Sequence, residues 1–342
     1  MSGAEDVAMT KEQANKIVWH IGVVYNVLLY RDPTREEIQR HGDEIMRGQP
    51  LIDFFMGVLL SEERRDQPKT YVGPGHFYSP IVNPAELHHH LRAVANAGPE
   101  ISGIALERDR MIATWETLLP FLTTCPFSNS PAGGFRYGFV NPAYGYGDGV
   151  VLQAMLRYRR PKRLIEVGSG YSTMCSVDTI DHFLGGACEV TSIEPQPERV
   201  RSLLGDRERG VHIINAPVQR VPVSVFEQLE AGDILFIDST HVLRTGSDVC
   251  YELFEIFPRL ASGVAVHLHD IFWPFEYPEP WLLDDNRSWN EAYAVRAFLT
   301  DNDRWEILFF NDYFVKFERE RIERELPRFA EGSGGALWLQ RR

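Results

Sequence analysis

The stretch Arg163–Gly170, Arg-Leu-Ile-Glu-Val-Gly-Ser-Gly, constrains the fold more than any other, because it joins an apolar run to a glycine turn and then to a helix-like segment. Leu164, Ile165 and Val167 suit a strand covered on both faces, which reads as a short apolar run rather than a strict alternation. Gly168 and Gly170 let the backbone turn sharply and approach a ligand with no Cβ in the way, and Tyr171 to Phe183 suits the following helix. Glycine pairs also make ordinary strand-to-helix turns, so the next acid must carry the weight. Cys188 to Ile193 reads as a second strand, ending in Glu194 and Pro195. An acid at that tip faces the crevice of a doubly wound sheet, where it accepts hydrogen bonds from both ribose hydroxyls of an adenosine.

The missing residues narrow the ligand further. A dinucleotide fingerprint requires a third glycine where Thr173 stands, and the chain has no Gly-Lys-Ser/Thr phosphate loop. Glu166, inside the first motif, would repel a pyrophosphate but suits a cationic ligand with an amino group, which points to S-adenosylmethionine. Glu166-Val-Gly-Ser-Gly170, then Ile193-Glu-Pro195, then Phe236-Ile-Asp238 resemble the first, second and fourth strand motifs of the class I S-adenosylmethionine-dependent methyltransferases. The resemblance implies cofactor contacts by Glu166, Gly168, Gly170, Tyr171, Ser172, Glu194 and Asp238.

Strands then recur at α/β spacing: Val211 to Asn215, Ile234 to Ile237, Val264 to His269 and Trp305 to Phe310, with Ala336 to Gln340 last and helical segments between them. This predicts a Rossmann-like, seven-stranded methyltransferase sheet over residues 135–342, its last strand antiparallel. Residues 1–66 form an all-helical subdomain: Ile17, Ile21, Val24 and Leu28 recur at helical spacing, Thr34 and Glu37 form a capping box, and Phe54, Phe55, Val58 and Leu59 mark a third helix. Leu29 to Pro33 and Phe54 to Glu63 resemble a small bacterial helical module of unknown function; a lid or a dimerisation arm, giving a homo-oligomer, is the alternative. Residues 67–134 read as a linker and helical cap, in which Tyr71, Phe77, Tyr78 and Ile81 are expected to be buried and His88, His89 and His90 solvated.

Active groups gather where strands four and five end. His241 and Asp270 are the candidate proton acceptors, and Asp238 suits the cofactor's ammonium group or a metal. Phe-Ile-Asp238 followed by Asp270 is similar to catechol-type and macrolide-sugar O-methyltransferases, and that similarity implies magnesium. Ile271 stands where the third ligand would be, so metal-free proton abstraction is the preferred expectation. His267 reads as a satisfied core residue. Tyr144, Tyr146 and Asp148, in the glycine- and ring-rich stretch Gly133 to Gly149, are either packing groups or substrate contacts. Trp273, Tyr277 and Trp289 suit a lid or a platform on which a sugar or aromatic ring stacks.

A formal net charge of -13 argues against a sequence-independent grip on nucleic acid, which needs many lysines and arginines. No apolar run approaches a membrane span and the amino terminus does not look like a signal peptide, so a cytoplasmic protein is expected. Four scattered cysteines suggest buried thiols. The expected activity is methyl transfer to a hydroxyl of a small molecule, a sugar or secondary metabolite. The alternative is a non-catalytic module that binds a nucleoside or S-adenosylmethionine.

Overall fold

In the computed structural model, which describes residues 11–29, 32–66 and 71–342, the chain divides into two units, residues 1–73 and 74–342. The amino-terminal residues 1–10, Tyr30 and Arg31 of the helical-module signature, and linker residues 67–70 lie outside that description.

In the first unit, α1 (Lys11–Leu29), α2 (Arg35–Met46), α3 (Leu51–Leu59) and the short α4 (Glu62–Asp66) close on Ile21, Tyr25, Leu28, Leu29, Phe54 and Val58. The capping box forms as its spacing requires: the Glu37 amide donates to Thr34 Oγ1 at 3.2 Å, and the Thr34 amide donates to Glu37 Oε2 at 2.7 Å.

The second unit begins with α5 (His88–Ala95), α6 (Arg108–Thr123) and α7 (Tyr146–Arg159) before the sheet starts. Its strands are β1 (Arg163–Val167), β2 (Glu189–Ile193), β3 (Val211–Ile214), β4 (Ile234–Ile237), β5 (Ala265–Leu268), β6 (Trp305–Phe310) and β7 (Leu337–Arg341). They lie in the order β3-β2-β1-β4-β5-β7-β6, parallel except that β7 runs antiparallel to both β5 and β6. This is the seven-stranded sheet expected from the sequence, and β1 is covered on both faces, as its short apolar run, interrupted only by Glu166, suggested. Between strands come α8 (Tyr171–Leu184), α9 (Glu198–Leu204), α10 (Asp248–Tyr251), α11 (Glu279–Leu283), α12 (Glu291–Leu299), α13 (Asn311–Phe317) and α14 (Arg319–Glu325). Val223 to Gln228 is a 3₁₀ turn rather than an α-helix, and the helix begun by α10 continues as a π turn over Glu252–Ile256.

Several expectations about rings and histidines are overturned. Tyr71 and Phe77 are 90% and 81% exposed and Tyr78 is also exposed, so these aromatics are not buried; Phe77 and Tyr78 pack on one another and on His76 instead. His90 is more than a solvated ring, since its Nε2 meets Glu276 Oε2 at 2.5 Å. His267 is fully buried but unsatisfied: neither ring nitrogen has a hydrogen-bond partner among the described residues, and the ring stacks on Phe236 at 4.1 Å. Burial and the charge of His269 hold its pKa well below the usual value, so it behaves as a neutral aromatic. The cysteines are free thiols, Cys175 and Cys188 buried, Cys125 and Cys250 only half-buried. Among the described residues no helix is long and apolar enough to cross a membrane.

Candidate active site

A cavity of about 340 Å³ opens at the carboxyl ends of β1, β2 and β4, where the strand order reverses. The turn after β1 sets its floor. Gly168 has a φ of +80°, and a Cβ there would collide with the Asp238 carbonyl oxygen, so only glycine permits the close approach of these two strand ends. At the tip of β2, Glu194 Oε2 accepts from the Ser169 amide at 3.1 Å, and Oε1 accepts from the Gln196 amide at 2.9 Å. The carboxylate is thus oriented over the glycine turn with acceptor capacity left for a ligand. Thr173, standing where a dinucleotide site would have glycine, turns its hydroxyl back to accept from the Gly170 amide at 3.0 Å and closes the first turn of α8.

Gly168, Gly170, Tyr171, Ser172, Glu194 and Asp238 all line the cavity; Glu166 does not. It is wholly buried, Ser172 Oγ donates to its Oε1 at 2.6 Å, and burial raises its pKa to about 8 against that bond. In this structure its side chain leaves the strand toward α8 and meets Ser172 rather than the cavity, and its pKa is raised by burial. Asp238 is the ionised acid at this wall. Burial opposes its charge, but His269 and His241 hold it below the usual carboxylate range.

His241 and Asp270 lie beside Asp238, outside the cavity wall. His241 Nε2 is 3.4 Å from Asp238 Oδ1 and 3.6 Å from Asp270 Oδ2, while its Nδ1 is 2.8 Å from Glu291 Oε2. Burial works against the imidazolium, yet the hydrogen bonds and charges of Asp238 and Glu291 outweigh it and raise the pKa to about 11. A ring held protonated at neutral pH is ill suited to begin a reaction as the base, which counts against His241 as one of the two expected proton acceptors. Glu291 is pushed up by burial against the pull of His241, and neighbouring Glu252 is raised well above its usual value by burial and by the charge of Glu291.

The expected substrate residues scatter. Tyr144 lines the cavity, but it is buried, with its ring 5.1 Å from His269. Tyr146 and Asp148 belong to the first turn of α7. Tyr146 stacks under the Arg328 guanidinium at 4.1 Å. Asp148 is buried, which raises its pKa to about 7 against the opposing pull of His269. Trp273 and Tyr277 are not open platforms. The Trp273 ring is 4.9 Å from Tyr313, its Nε1 donates to the Gly98 carbonyl at 3.2 Å, and Tyr277 accepts from the Ala292 amide at 3.0 Å. So many rings in that segment form core, because neighbouring rings on α13 offer them better burial than solvent does. Trp289 sits 4.4 Å from the His241 ring.

Sequence reasoning assigned no role to Arg199, Gln219, Thr240 or Asp248, which also line the cavity, or to Glu291 behind it. Arg199 Nη2 donates to the Ser169 carbonyl at 3.3 Å, and Asp248 accepts from the Thr240 amide and hydroxyl at 2.9 and 2.7 Å. The position of Arg199, five residues after the acid of the second motif and at the start of the following helix, was the signal available for it.

A reversal point with a glycine turn, an acid opposite it, and an antiparallel seventh strand between β5 and β6 is the arrangement that the sequence led us to expect of a class I methyltransferase sheet. Residues 165–271, about a third of the chain, match a family model described as a methyltransferase domain. An uncharacterized protein from Archaeoglobus fulgidus is 29% identical over 163 residues, 46% of this chain and 73% of the relative. Among solved structures, the SAH-bound methyltransferase PaMTH1 of Podospora anserina is similar at 14% identity, covering 75% of this chain and 96% of that one, with a TM-score of 0.36. An O-methyltransferase from Bacillus cereus in complex with SAH is similar at 16% identity, covering 67% and 91%, with a TM-score of 0.37.

Magnesium, implied by the similarity to catechol-type enzymes, does not fit. Among the described residues no group of three or more His, Cys, Asp or Glu side chains is arranged to hold a metal ion, and Ile271 is fully buried.

Proposed function

We propose that this protein is an S-adenosylmethionine-dependent O-methyltransferase whose acceptor is a hydroxyl of a small molecule. The observation that carries the reading is Glu194, fixed by the Ser169 amide over a glycine turn that a side chain would block. In this reading Glu194 accepts from the ribose hydroxyls, Gly168 to Gly170 lie against the nucleoside, and ionised Asp238 holds the ammonium group. A cavity of about 340 Å³ is at the small end of ligand pockets and suits a mononucleoside better than a dinucleotide. S-adenosylmethionine supplies an electrophilic methyl group when bound. The protein's part is to hold the acceptor oxygen in line with it and to take the hydroxyl proton, which we assign to Asp270. The net charge of -13 fits a small acceptor better than a nucleic acid.

Calorimetry with S-adenosylmethionine and with NAD tests the cofactor, and tighter NAD binding would overturn the reading. Incubation of the purified protein and radiolabelled S-adenosylmethionine with fractionated small-molecule extracts tests the acceptor. Label should enter an alkali-stable ether; S-adenosylmethionine binding without transfer in any fraction would favour a non-catalytic binding module.

A further inference from the structure

Acids dominate the lining of the cavity at the ends of β1, β2 and β4. Glu194, Asp238 and Asp248 are its carboxylates, and among the described residues Arg199 is its one arginine or lysine. Such a wall suits a sulfonium and an ammonium group, but S-adenosylmethionine also carries a carboxylate. An anion set among three acids is repelled unless a fixed positive charge with free hydrogen-bond donors meets it.

Three hydroxyls of the lining are already committed. Ser172 Oγ donates to Glu166 at 2.6 Å, Ser239 Oγ to Glu252 at 3.2 Å and Thr240 Oγ1 to Asp248 at 2.7 Å. A hydroxyl has a single proton to give, so these groups have none left for a ligand. Arg199 differs from them. Its Nη2 donates to the Ser169 carbonyl at 3.3 Å, and among the described residues the guanidinium forms no ion pair, so most of its donors stay uncommitted. Ser169 fixes both partners of a ligand, holding Glu194 through its amide at 3.1 Å and Arg199 through its carbonyl. A Cβ on Gly170 would lie 3.4 Å from Nη2 and 3.6 Å from both Cζ and Nε. Such even distances mean that the flat face of the guanidinium rests on the glycine, which leaves its edges for a planar anion.

We propose that Arg199 binds the carboxylate of S-adenosylmethionine, and that it makes the protein select the intact cofactor over a form lacking that group. This inference rests on the methyl-transfer reading of the cavity. It follows from matching charges: the two cationic groups of the cofactor meet acids, and its single anion meets the arginine. The planar fork of a guanidinium takes both oxygens of a carboxylate at once, which the point charge of a lysine does not. Arg199 is exposed, so solvent and salt screen it; its contribution is to selectivity among ligands rather than to the fold. It takes no part in the transfer of the methyl group.

The test is titration calorimetry of the full chain with S-adenosylmethionine and with its decarboxylated form, which keeps the nucleoside, the sulfonium and the amino group. The wild type should bind the intact cofactor at least about tenfold more tightly than the decarboxylated one. In Arg199→Gln that preference should shrink to about twofold or less, through weaker binding of S-adenosylmethionine with the decarboxylated form little changed, and Arg199→Lys should restore it in part. Equal wild-type affinities for the two forms would overturn the proposal. So would an Arg199→Gln variant that keeps the preference, or one that weakens both forms alike, as loss of a mere brace on the glycine turn would do. Both variants should keep the wild-type circular dichroism; if Arg199→Gln does not fold, Arg199→Lys decides in its place, a preference equal to the wild type's overturning the proposal. If neither form binds the wild type, the methyl-transfer reading falls and this inference with it; if both bind with no dependence on Arg199, this inference alone falls.

Discussion

Gly168 and Glu194 set the limits of the candidate site at the scale of single residues. A methyl group at position 168 would meet both an unfavourable φ and the Asp238 carbonyl, so Gly168→Ala should cost about 3 kcal/mol or more in a urea unfolding experiment. Glu194→Ala removes the acceptor assigned to the ribose and should weaken S-adenosylmethionine binding about tenfold to hundredfold by calorimetry, because hydrogen bonds to a charged group are each worth about 1.5 to 3 kcal/mol. An unchanged affinity would remove Glu194 from the site. Both residues were legible in the sequence, as glycine freedom and an acid at a strand tip each have local signatures. Glu166 was not. In a strand covered on both faces every position is buried, and sequence cannot tell which buried side chain turns toward a ligand and which toward a helix. Nor could it pair His241 with Glu291, whose meeting depends on α12 returning to β4 after fifty residues.

At the scale of elements, the glycine-rich stretch before α7 shows how a segment without regular structure is fixed. Asp178, buried on α8, accepts from the Arg136 amide at 2.5 Å, the Tyr137 amide at 2.8 Å and Arg136 Nη1 at 3.0 Å. Tyr137 in turn donates from its hydroxyl to the Tyr144 carbonyl at 2.7 Å, and Tyr144 reaches the cavity. Asp178→Ala leaves two buried amides and a guanidinium without their acceptor and should destabilise the fold by about 3 kcal/mol, read from thermal or urea unfolding. An effect near zero would mean the stretch is held by its rings alone. Strands and most helices were readable from apolar period; the fate of individual rings was not. The contrast is plain between Phe275, which is buried, and Phe77, which is exposed: the side chains are equally hydrophobic, but only Phe275 has Trp273 and Phe310 folded against it.

For the molecule as a whole, burial of acids has a consequence for stability against pH. Burial raises Asp148 to about 7 and Glu166 to about 8, and His269 reaches about 9 because Asp270, Asp238 and Asp148 outweigh its burial. Each group binds its proton more tightly folded than unfolded. The two acids therefore lose stabilisation as pH rises from their unfolded values near 4 to about 7 and 8, and His269 loses its share between 6.5 and about 9. Asp238, whose pKa is lowered, acts in the opposite sense only below 3.8, outside that window. His267, held well below its usual value, opposes this trend below pH 6.5, so the unfolding midpoint should fall between about pH 6.5 and about pH 9 by differential scanning calorimetry; a flat or rising profile there would contradict this protonation scheme.

The position of β7 carries a consequence of another kind. β6 has no strand neighbour except β7, which also closes the edge of β5, so one five-residue segment is the keystone for two others. A nascent chain can assemble β1 to β5 while it is still emerging from the ribosome, but the edge of β5 stays unpaired until residue 341 has been made. During that interval the exposed edge is open to pairing with a neighbouring nascent chain.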